Sequence, residues 1–124
     1  MNGTAVKIKK PDWLKVSIPG GDDYFHLKNK LKEKGLPTIC QSARCPNIAE
    51  CWNHHQATFL IMGAVCTRDC LFCSVPTGIP AGLDEDEAQK IWQMAEMMNL
   101  SYLVITSVSR DDLPDKGSGH FAKV

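Results

Sequence analysis

The chain has 124 residues, which is enough for one domain. Apolar residues make up 44% of it and charged residues 23%, as in ordinary globular proteins, and no apolar run approaches the roughly 20 residues that a membrane span needs. Fourteen basic and fourteen acidic side chains cancel, so the broad positive field of a nucleic-acid-binding protein is missing. The composition therefore predicts a globular protein that binds neither nucleic acid nor membranes.

The first residues, "MNGTAVKIKKPDW", lack the apolar core and cleavage site of a secretory signal and the arginines of an organelle transit peptide. We therefore expect a cytoplasmic protein. In a reducing cytoplasm, six cysteines favour metal binding or catalysis over three disulfides. The cysteines are thus the first candidates for a functional site.

The segment "GGDDYFHLKNKLKEKG" predicts a surface helix that ends at Gly35, with Asp22 and Asp23 as candidate caps. Its apolar stripe consists of Tyr24, Leu27 and Leu31. The next segment, "LPTICQSARCPNIAECWNHH", contains three cysteines and Pro46, which interrupts any long helix. We expect these cysteines in a loop with short helical turns on either side.

The continuous apolar run "ATFLIMGAVC" predicts a strand buried on both faces, with Cys66 at its carboxyl end. After a linker rich in proline and glycine, Asp84 and Glu87 have the spacing of a capping box before a helix of about four turns. The predicted apolar face of that helix consists of Ala88, Ile91, Trp92, Ala95 and Met98. The sequence therefore places a strand, a loop and a helix one after another.

A second apolar run, "SYLVITSV", predicts another strand, so the elements follow the order of a parallel β/α unit. Ligands of such units gather beyond the carboxyl ends of the strands. The loop that begins at Cys66 and the loop "SVSRDDLPD" would both lie at that edge. We therefore expect a site between these two loops.

Cys66, Cys70 and Cys73 form a C-x3-C-x2-C motif. Three thiolates at this spacing can hold three irons of a cubane [4Fe-4S] cluster and leave the last iron open for a substrate or cofactor. A zinc site is one alternative, but it usually has a fourth ligand, and no further candidate follows Cys73 until His120. A ferredoxin-type electron-transfer protein is another, but it would contain more cysteines in tighter repeats.

With the strand before it, "CTRDCLFC" resembles the cluster-binding signature of the radical S-adenosylmethionine (SAM) enzymes. The resemblance implies a [4Fe-4S] cluster on Cys66, Cys70 and Cys73 whose open iron binds SAM. An electron from that cluster would cleave SAM to a 5′-deoxyadenosyl radical. Phe72 would then lie against the adenine, where an aromatic ring suits a flat heterocycle, with packing of the loop onto the barrel end as its alternative role.

Cys40, Cys45 and Cys51 stand in "CQSARCPNIAECW", which resembles the auxiliary-cluster motif of the lipoyl synthase family. The segments "PDWLKVSIPGG", "ATFLIMGAVCTRDCLFC" and "VITSVSRDDLPDKGSGHF" resemble the same family in its order and spacing. The resemblance implies a second [4Fe-4S] cluster on these three cysteines. Ser109 departs from the family, which usually has an acidic residue there, whereas residues 110–112 agree with it.

The fold that this resemblance implies is of the α/β class. It is a partial (β/α) TIM-type barrel of the radical SAM kind, truncated, with an irregular and helical amino-terminal extension that binds the auxiliary cluster. We assign residues 1–58 to the extension and residues 59–124 to the first β/α units of the core. Family members are much longer and supply a serine ligand from a carboxyl-terminal motif, so we expect this portion alone to be inactive.

The activity that the resemblance implies is that of a sulfurtransferase, which inserts two sulfur atoms at C6 and C8 of a protein-bound octanoyl group. Such C–H bonds have no acidic proton, so acid–base catalysis cannot activate them and a radical is required. The implied cofactors are SAM and two [4Fe-4S] clusters, of which the auxiliary one donates sulfur. The implied partners are an octanoylated lipoyl carrier domain or H protein and a reductant such as flavodoxin or ferredoxin.

Other conspicuous residues are predicted to pack in the core or to face solvent. The packing residues are Trp52, Trp92, Met94 and Met98. His54 and His55 are expected to be solvated, and Arg44 either supports the auxiliary site or forms a salt bridge. The basic segment "KIKKPDWLK" is expected to be a solvated tail, with contact to an acidic carrier domain as the alternative.

Overall fold

The structure, a computed structural model, describes residues 9–124. In chain order it contains a 3-10 helix (Asp12–Leu14), α1 (Asp22–Glu33), α2 (Ile39–Ser42), α3 (Ile48–Asn53), β1 (Gln56–Ile61), α4 (Glu87–Met97), β2 (Tyr102–Ser107) and α5 (Ser118–Lys123). The strands pair in parallel, with Gln56 opposite Tyr102 and Ile61 opposite Ser107. The predicted α/β class and strand–helix–strand order are confirmed. Within residues 9–124 the sheet has these two strands and does not close into a barrel.

The first helix matches its prediction in extent but not at its start. α1 begins after Gly21, whose φ of 95° is in the region open to glycine, so Asp22 and Asp23 lie in the first turn and are not caps. There the two carboxylates face the positive end of the helix dipole. The predicted stop at Gly35 is confirmed: its φ is 65°, and Leu36 N–H donates to the carbonyl of Leu31 at 2.9 Å.

The first cysteine segment is more helical than predicted. Cys40 lies in α2 and Cys51 in α3, while Cys45 lies in the turn between these helices, next to Pro46. α2 is stabilised at its start by Thr38, whose Oγ1 accepts the Gln41 N–H at 3.2 Å. The expectation of a loop is therefore wrong for two of the three cysteines.

The hydrophobic core lies between β1 and the helices α1, α3 and α4. Its fully buried side chains include Leu31, Phe59, Ile61 and Met94. Trp52, Met94 and Met98 are buried as predicted, but Trp92 is 56% exposed, so its predicted packing role is wrong. α4 lies on a small sheet and buries one stripe, and a residue next to Ile91 is turned about 100° away from that stripe.

The predicted capping box of α4 is also wrong. The residue that precedes the helix is Asp86, and Asp84 Oδ1 accepts the Asp86 N–H at 3.0 Å within the preceding turn. Glu87 does not reach back to the start of the helix. Its side chain points into the protein, where it is buried.

Two sequence predictions fall at least partly on residues 1–8, which lie outside the described residues. One concerns a secretory signal or transit peptide, and the other concerns the first part of the basic segment "KIKKPDWLK". In the described part of that segment, Lys15 pairs with Asp12. No helix between residues 9 and 124 is long and apolar enough to cross a membrane. The division at residues 58 and 59 stays a prediction.

Candidate functional site

The loop that carries the second cysteine triplet begins just after β1. The chain turns at Met62 and Gly63, whose φ values are 66° and 104°. Cys66 then forms a parallel bridge with Thr77, closed by hydrogen bonds from Cys66 N–H to the Pro76 carbonyl (2.8 Å) and from Gly78 N–H to the Cys66 carbonyl (2.9 Å). The chain from residue 66 to residue 77 therefore forms a closed loop, which we call the cluster loop.

Backbone N–H groups point at the sulfur of Cys66. The donors are Ser109, at 3.2 Å, and Arg68, at 3.5 Å. Burial raises the pKa of the Cys66 thiol, but these N–H groups outweigh that effect, so its pKa lies below the ordinary value. Since the thiolate is the form that binds iron, this environment favours ligation. The Cys73 sulfur also accepts an N–H, that of Val75 at 3.5 Å.

The cluster loop is joined to the loop after β2 by an ion pair. Arg68 donates to both carboxylate oxygens of Asp111, from Nε at 2.9 Å and from Nη2 at 3.0 Å. Thr67 Oγ1 lies 2.8 Å from Asp111 Oδ2, and together these donors hold the pKa of Asp111 well below its usual range. The expectation that the two loops lie together at the carboxyl edge of the strands is therefore confirmed.

The first cysteine triplet lies on α2, on α3 and in the turn between them. Cys40, Cys45 and Cys51 are half-buried, and Cys45 N–H donates to the Cys40 carbonyl at 3.0 Å. Burial raises the pKa of Cys51, and its neighbours Cys40 and Cys45 raise it further, as expected for thiols close in space. Cys40, Cys45 and Arg44 line one cavity of about 480 Å³. Arg44 thus lies beside the triplet.

The donor sets fit iron–sulfur clusters by their chemistry. Each triplet brings three thiols and no fourth cysteine, and N–H donors to sulfur, as at Cys66 and Cys73, are typical of cluster environments. In the part of the chain that the structure describes, no three His, Cys, Asp or Glu side chains already converge on one metal position. Cluster binding would thus draw the exposed Cys70 and Cys73 side chains inward on their loop.

Phe72 and the two histidines, His54 and His55, lie at the surface. Phe72 is 93% exposed at the tip of the cluster loop, so it does not pack the loop onto the described residues. His54 Nδ1 lies 2.9 Å from the Glu50 carbonyl oxygen, and His55 Nδ1 lies 3.0 Å from the Met98 carbonyl oxygen. Both histidines therefore bond to backbone.

Sequence reasoning missed a buried polar cluster behind the cluster loop. It consists of Glu87, Arg110 and His120, which are 4%, 3% and 7% exposed. The sequence analysis assigned Glu87 to a cap and considered His120 only as a distant zinc ligand. The available signal was the single family-like segment "VITSVSRDDLPDKGSGHF", which contains both Arg110 and His120.

Comparison with known proteins agrees with the sequence motifs. Residues 2–45 match the family described as the N-terminal domain of lipoyl synthase of the radical SAM family. A lipoyl synthase from Francisella tularensis subsp. novicida is 52% identical over 119 residues, which cover 95% of this chain and 36% of that protein. A lipoyl synthase from Glaesserella parasuis is 50% identical over 117 residues, or 94% of this chain and 37% of the relative.

The chain thus spans about a third of the length of the curated relatives it matches. Because the matched stretch covers 95% of the chain, it includes both cysteine triplets and both loops at the carboxyl edge of the sheet. The sequence of this chain is therefore similar to about a third of these lipoyl synthases, and residues 2–45 match the model of their N-terminal domain.

Proposed function

We propose that this chain forms the cluster-binding portion of a lipoyl synthase. Cys66, Cys70 and Cys73 would hold a [4Fe-4S] cluster that supplies an electron for reductive cleavage of SAM, and the other triplet would hold the auxiliary, sulfur-donating cluster. The observation that carries the proposal is that Cys66 lies in the loop that follows the carboxyl end of β1, with the Ser109 N–H 3.2 Å from its sulfur. A parallel β/α unit binds ligands at that edge.

The residues around Cys66 prepare its sulfur for iron. The Ser109 backbone N–H is a group that every residue except proline supplies, so the departure from the family's acidic residue leaves this contact intact. The Ser109 hydroxyl also helps to lower the pKa of Cys66. Arg68 and Asp111 fix the distance between the two loops through two hydrogen bonds. The exposed ring of Phe72 is free to lie against the adenine of SAM.

The first triplet would serve the second step of the same reaction. Cys40, Cys45 and Cys51 lie on two short helices and the turn between them, close enough for Cys40 and Cys45 to raise the pKa of Cys51. Arg44 lines the same cavity as Cys40 and Cys45, and a guanidinium there attracts the negative charge of thiolates that hold a cluster. We infer that Arg44 supports the auxiliary cluster electrostatically.

The complete reaction would be the insertion of two sulfur atoms at C6 and C8 of an octanoyl group. Its substrate would be an octanoylated lipoyl carrier domain or H protein, its reductant a flavodoxin or ferredoxin, and its compartment the cytoplasm. The first half of β2 supports a partial (β/α) barrel. Its residues Tyr102, Leu103 and Val104 are exposed, and a further strand and helix of a barrel would pack there. Residues 1–58 would then be the extension and residues 59–124 the start of the barrel.

An iron–sulfur electron carrier and a zinc module remain the rival functions, and Cys70→Ala separates them from the proposal. The variant is placed in a chimera in which this chain replaces the matching part of the Francisella lipoyl synthase, and Ser74→Ala, an exposed change in the same loop, is the control. After anaerobic reconstitution with iron and sulfide, the chimera should be brown and form 5′-deoxyadenosine from SAM. The Cys70→Ala variant should lose that product and the control should keep it.

Three other results would count against this proposal. A colourless, zinc-loaded chimera would support the zinc module. A brown chimera that never cleaves SAM would support the electron carrier, and normal cleavage by the Cys70→Ala variant would remove Cys70 from the ligand set.

We also propose that the 124 residues alone make no lipoyl product, because β2 then has an uncovered edge. Lipoyl formation by the isolated chain would overturn that part.

A further inference from the structure

The turn that leads from β1 into the cluster loop is held from three directions. Met62 N–H lies 3.1 Å from both carboxylate oxygens of Glu87, which comes from the first turn of α4. Met62 carbonyl accepts from Arg110 Nη1 at 3.0 Å. The Met62 side chain packs on Gly117, where an added Cβ would collide with Met62 Sδ. Its backbone and its side chain are therefore fixed together.

Glu87 is itself fixed by a histidine. His120 Nε2 in α5 lies 2.7 Å from Glu87 Oε2, and both side chains are almost fully buried. A carboxylate removed from water is destabilising unless it is paired and hydrogen-bonded. Here its oxygens meet the imidazole and the Met62 N–H, so this buried carboxylate has partners for both oxygens.

Arg110 connects this buried cluster to the candidate iron ligand. It binds the Met62 carbonyl on one side and the Ala81 carbonyl on the other, both at 3.0 Å. The residue directly before it is Ser109, whose N–H donates to the Cys66 sulfur. A continuous set of contacts thus runs from Glu87 through Met62 and Arg110 to the sulfur that would bind iron.

If the buried cluster served only to stabilise the turn after β1, apolar side chains could replace it, because apolar replacements of buried ion pairs are often at least as stable. Directional hydrogen bonds instead fix the orientation of the peptide at Met62, which is four residues before Cys66. Met62 has a φ of 66°, in the left-handed region that residues other than glycine seldom adopt. Because the cluster loop follows Met62 in the chain, a small rotation at this residue would displace the whole loop. The buried cluster is thus placed to set the direction of the loop.

We propose that Glu87 and His120 are positioning residues for the cluster loop: through Met62 and Arg110 they set where the Cys66 sulfur lies. The inference rests on the proposed function, since it requires a cluster on Cys66, Cys70 and Cys73. It assigns no catalytic contact to either residue. Its consequence is selective, because loss of Glu87 should disturb the cluster on this loop and leave the cluster on the first triplet unchanged.

The test uses the full chain in two backgrounds, each with one cysteine triplet replaced by alanine, so that each cluster is observed alone. Both are reconstituted anaerobically with iron and sulfide, and Glu87→Ala, Glu87→Gln and His120→Gln are compared with Glu96→Gln, an exposed change on the same helix. Two readouts are recorded: the rate at which a ferrous chelator bleaches the cluster, and the electron paramagnetic resonance spectrum of the reduced cluster.

Glu87→Ala should bleach the cluster on Cys66, Cys70 and Cys73 about tenfold faster and change its spectrum, as loss of an outer-shell partner does at other metal sites. The cluster of the first triplet should keep its rate. Glu87→Gln retains an oxygen for the Met62 N–H and should restore part of the difference, and Glu96→Gln should change nothing.

Equal rates and spectra in Glu87→Ala and Glu96→Gln would overturn the inference, and so would equal losses at both triplets, which indicate a general loss of stability. If Glu87→Ala does not fold, Glu87→Gln and His120→Gln decide: unchanged spectra in both overturn the inference, and a change confined to the cluster-loop site supports it. Absence of iron at that site in the unsubstituted background would overturn the proposed function itself, and this inference with it.

Discussion

Thr38→Val tests how the first cysteine triplet is held. Thr38 is fully buried, and its Oγ1 accepts the Gln41 N–H at the start of α2, the helix that contains Cys40. Valine keeps the branched shape but removes both this acceptor and the hydroxyl that donates to Gln41 Oε1 at 3.1 Å. Because the Gln41 N–H then loses its partner in a half-buried position, we expect a loss of about 1–2 kcal/mol in the free energy of unfolding.

The assay is thermal unfolding of the metal-free chain, followed by circular dichroism. For a domain of this size, that loss corresponds to a melting temperature roughly 4–8 °C lower. Thr58→Val, the same chemical change at a half-buried position of β1, is the matched control and should stay within about 0.5 kcal/mol of the unsubstituted chain. Equal melting temperatures for the two variants would refute the capping role of Thr38.

Three further predictions address the clusters, acid stability and the turn after β1. In the Francisella chimera, Cys45→Ala should abolish lipoyl product but retain formation of 5′-deoxyadenosine, and quantification of both products in one anaerobic reaction would expose an error if lipoyl formation were unimpaired. The guanidinium of Arg110 holds the pKa of Asp112 below its ordinary value, so this pair stabilises the fold above the ordinary aspartate pKa and less as pH falls through the folded pKa. Asp112→Asn should therefore weaken the acid dependence of the denaturation midpoint, and an unchanged pH profile would contradict this. Gly117→Ala should cost about 1–3 kcal/mol in urea unfolding, because its φ is 86° and its Cβ would collide with the methionine after β1. Gly82→Ala, where an added Cβ meets nothing within 4 Å, should cost far less.

The elements that were predicted correctly are those with local signals. α1 has its apolar stripe and a glycine stop within one short segment, and both strands are continuous apolar runs. The cysteine spacings likewise defined two candidate ligand sets. Each of these signals lies within a short window of sequence, so no knowledge of the tertiary contacts was needed.

The wrong predictions concern residues whose partners are distant in the chain. Glu87 has the spacing of a cap, but a backbone N–H 25 residues before it and an imidazole 33 residues after it draw its side chain into the core. Trp92 is apolar, but the sheet beneath α4 is too small to cover it. The Ser109 N–H that reaches the Cys66 sulfur comes from 43 residues further along the chain. Spacing alone contains none of these contacts.

The two cysteine triplets are held by different kinds of contact, and this difference supports separate roles. Cys40 and Cys51 lie on short helices, of which α2 begins with the Thr38 cap and follows a segment that is hydrogen-bonded to β1, with Leu60 N–H donating to the Pro37 carbonyl at 3.0 Å. Cys66 is positioned by the β2 loop and by the buried Glu87 network, which are distant in sequence. Thr38 caps the helix that contains Cys40, and Glu87 holds the turn that leads to Cys66. We therefore expect a change at each residue to act chiefly on its own triplet, as required if one cluster starts the reaction and the other donates sulfur.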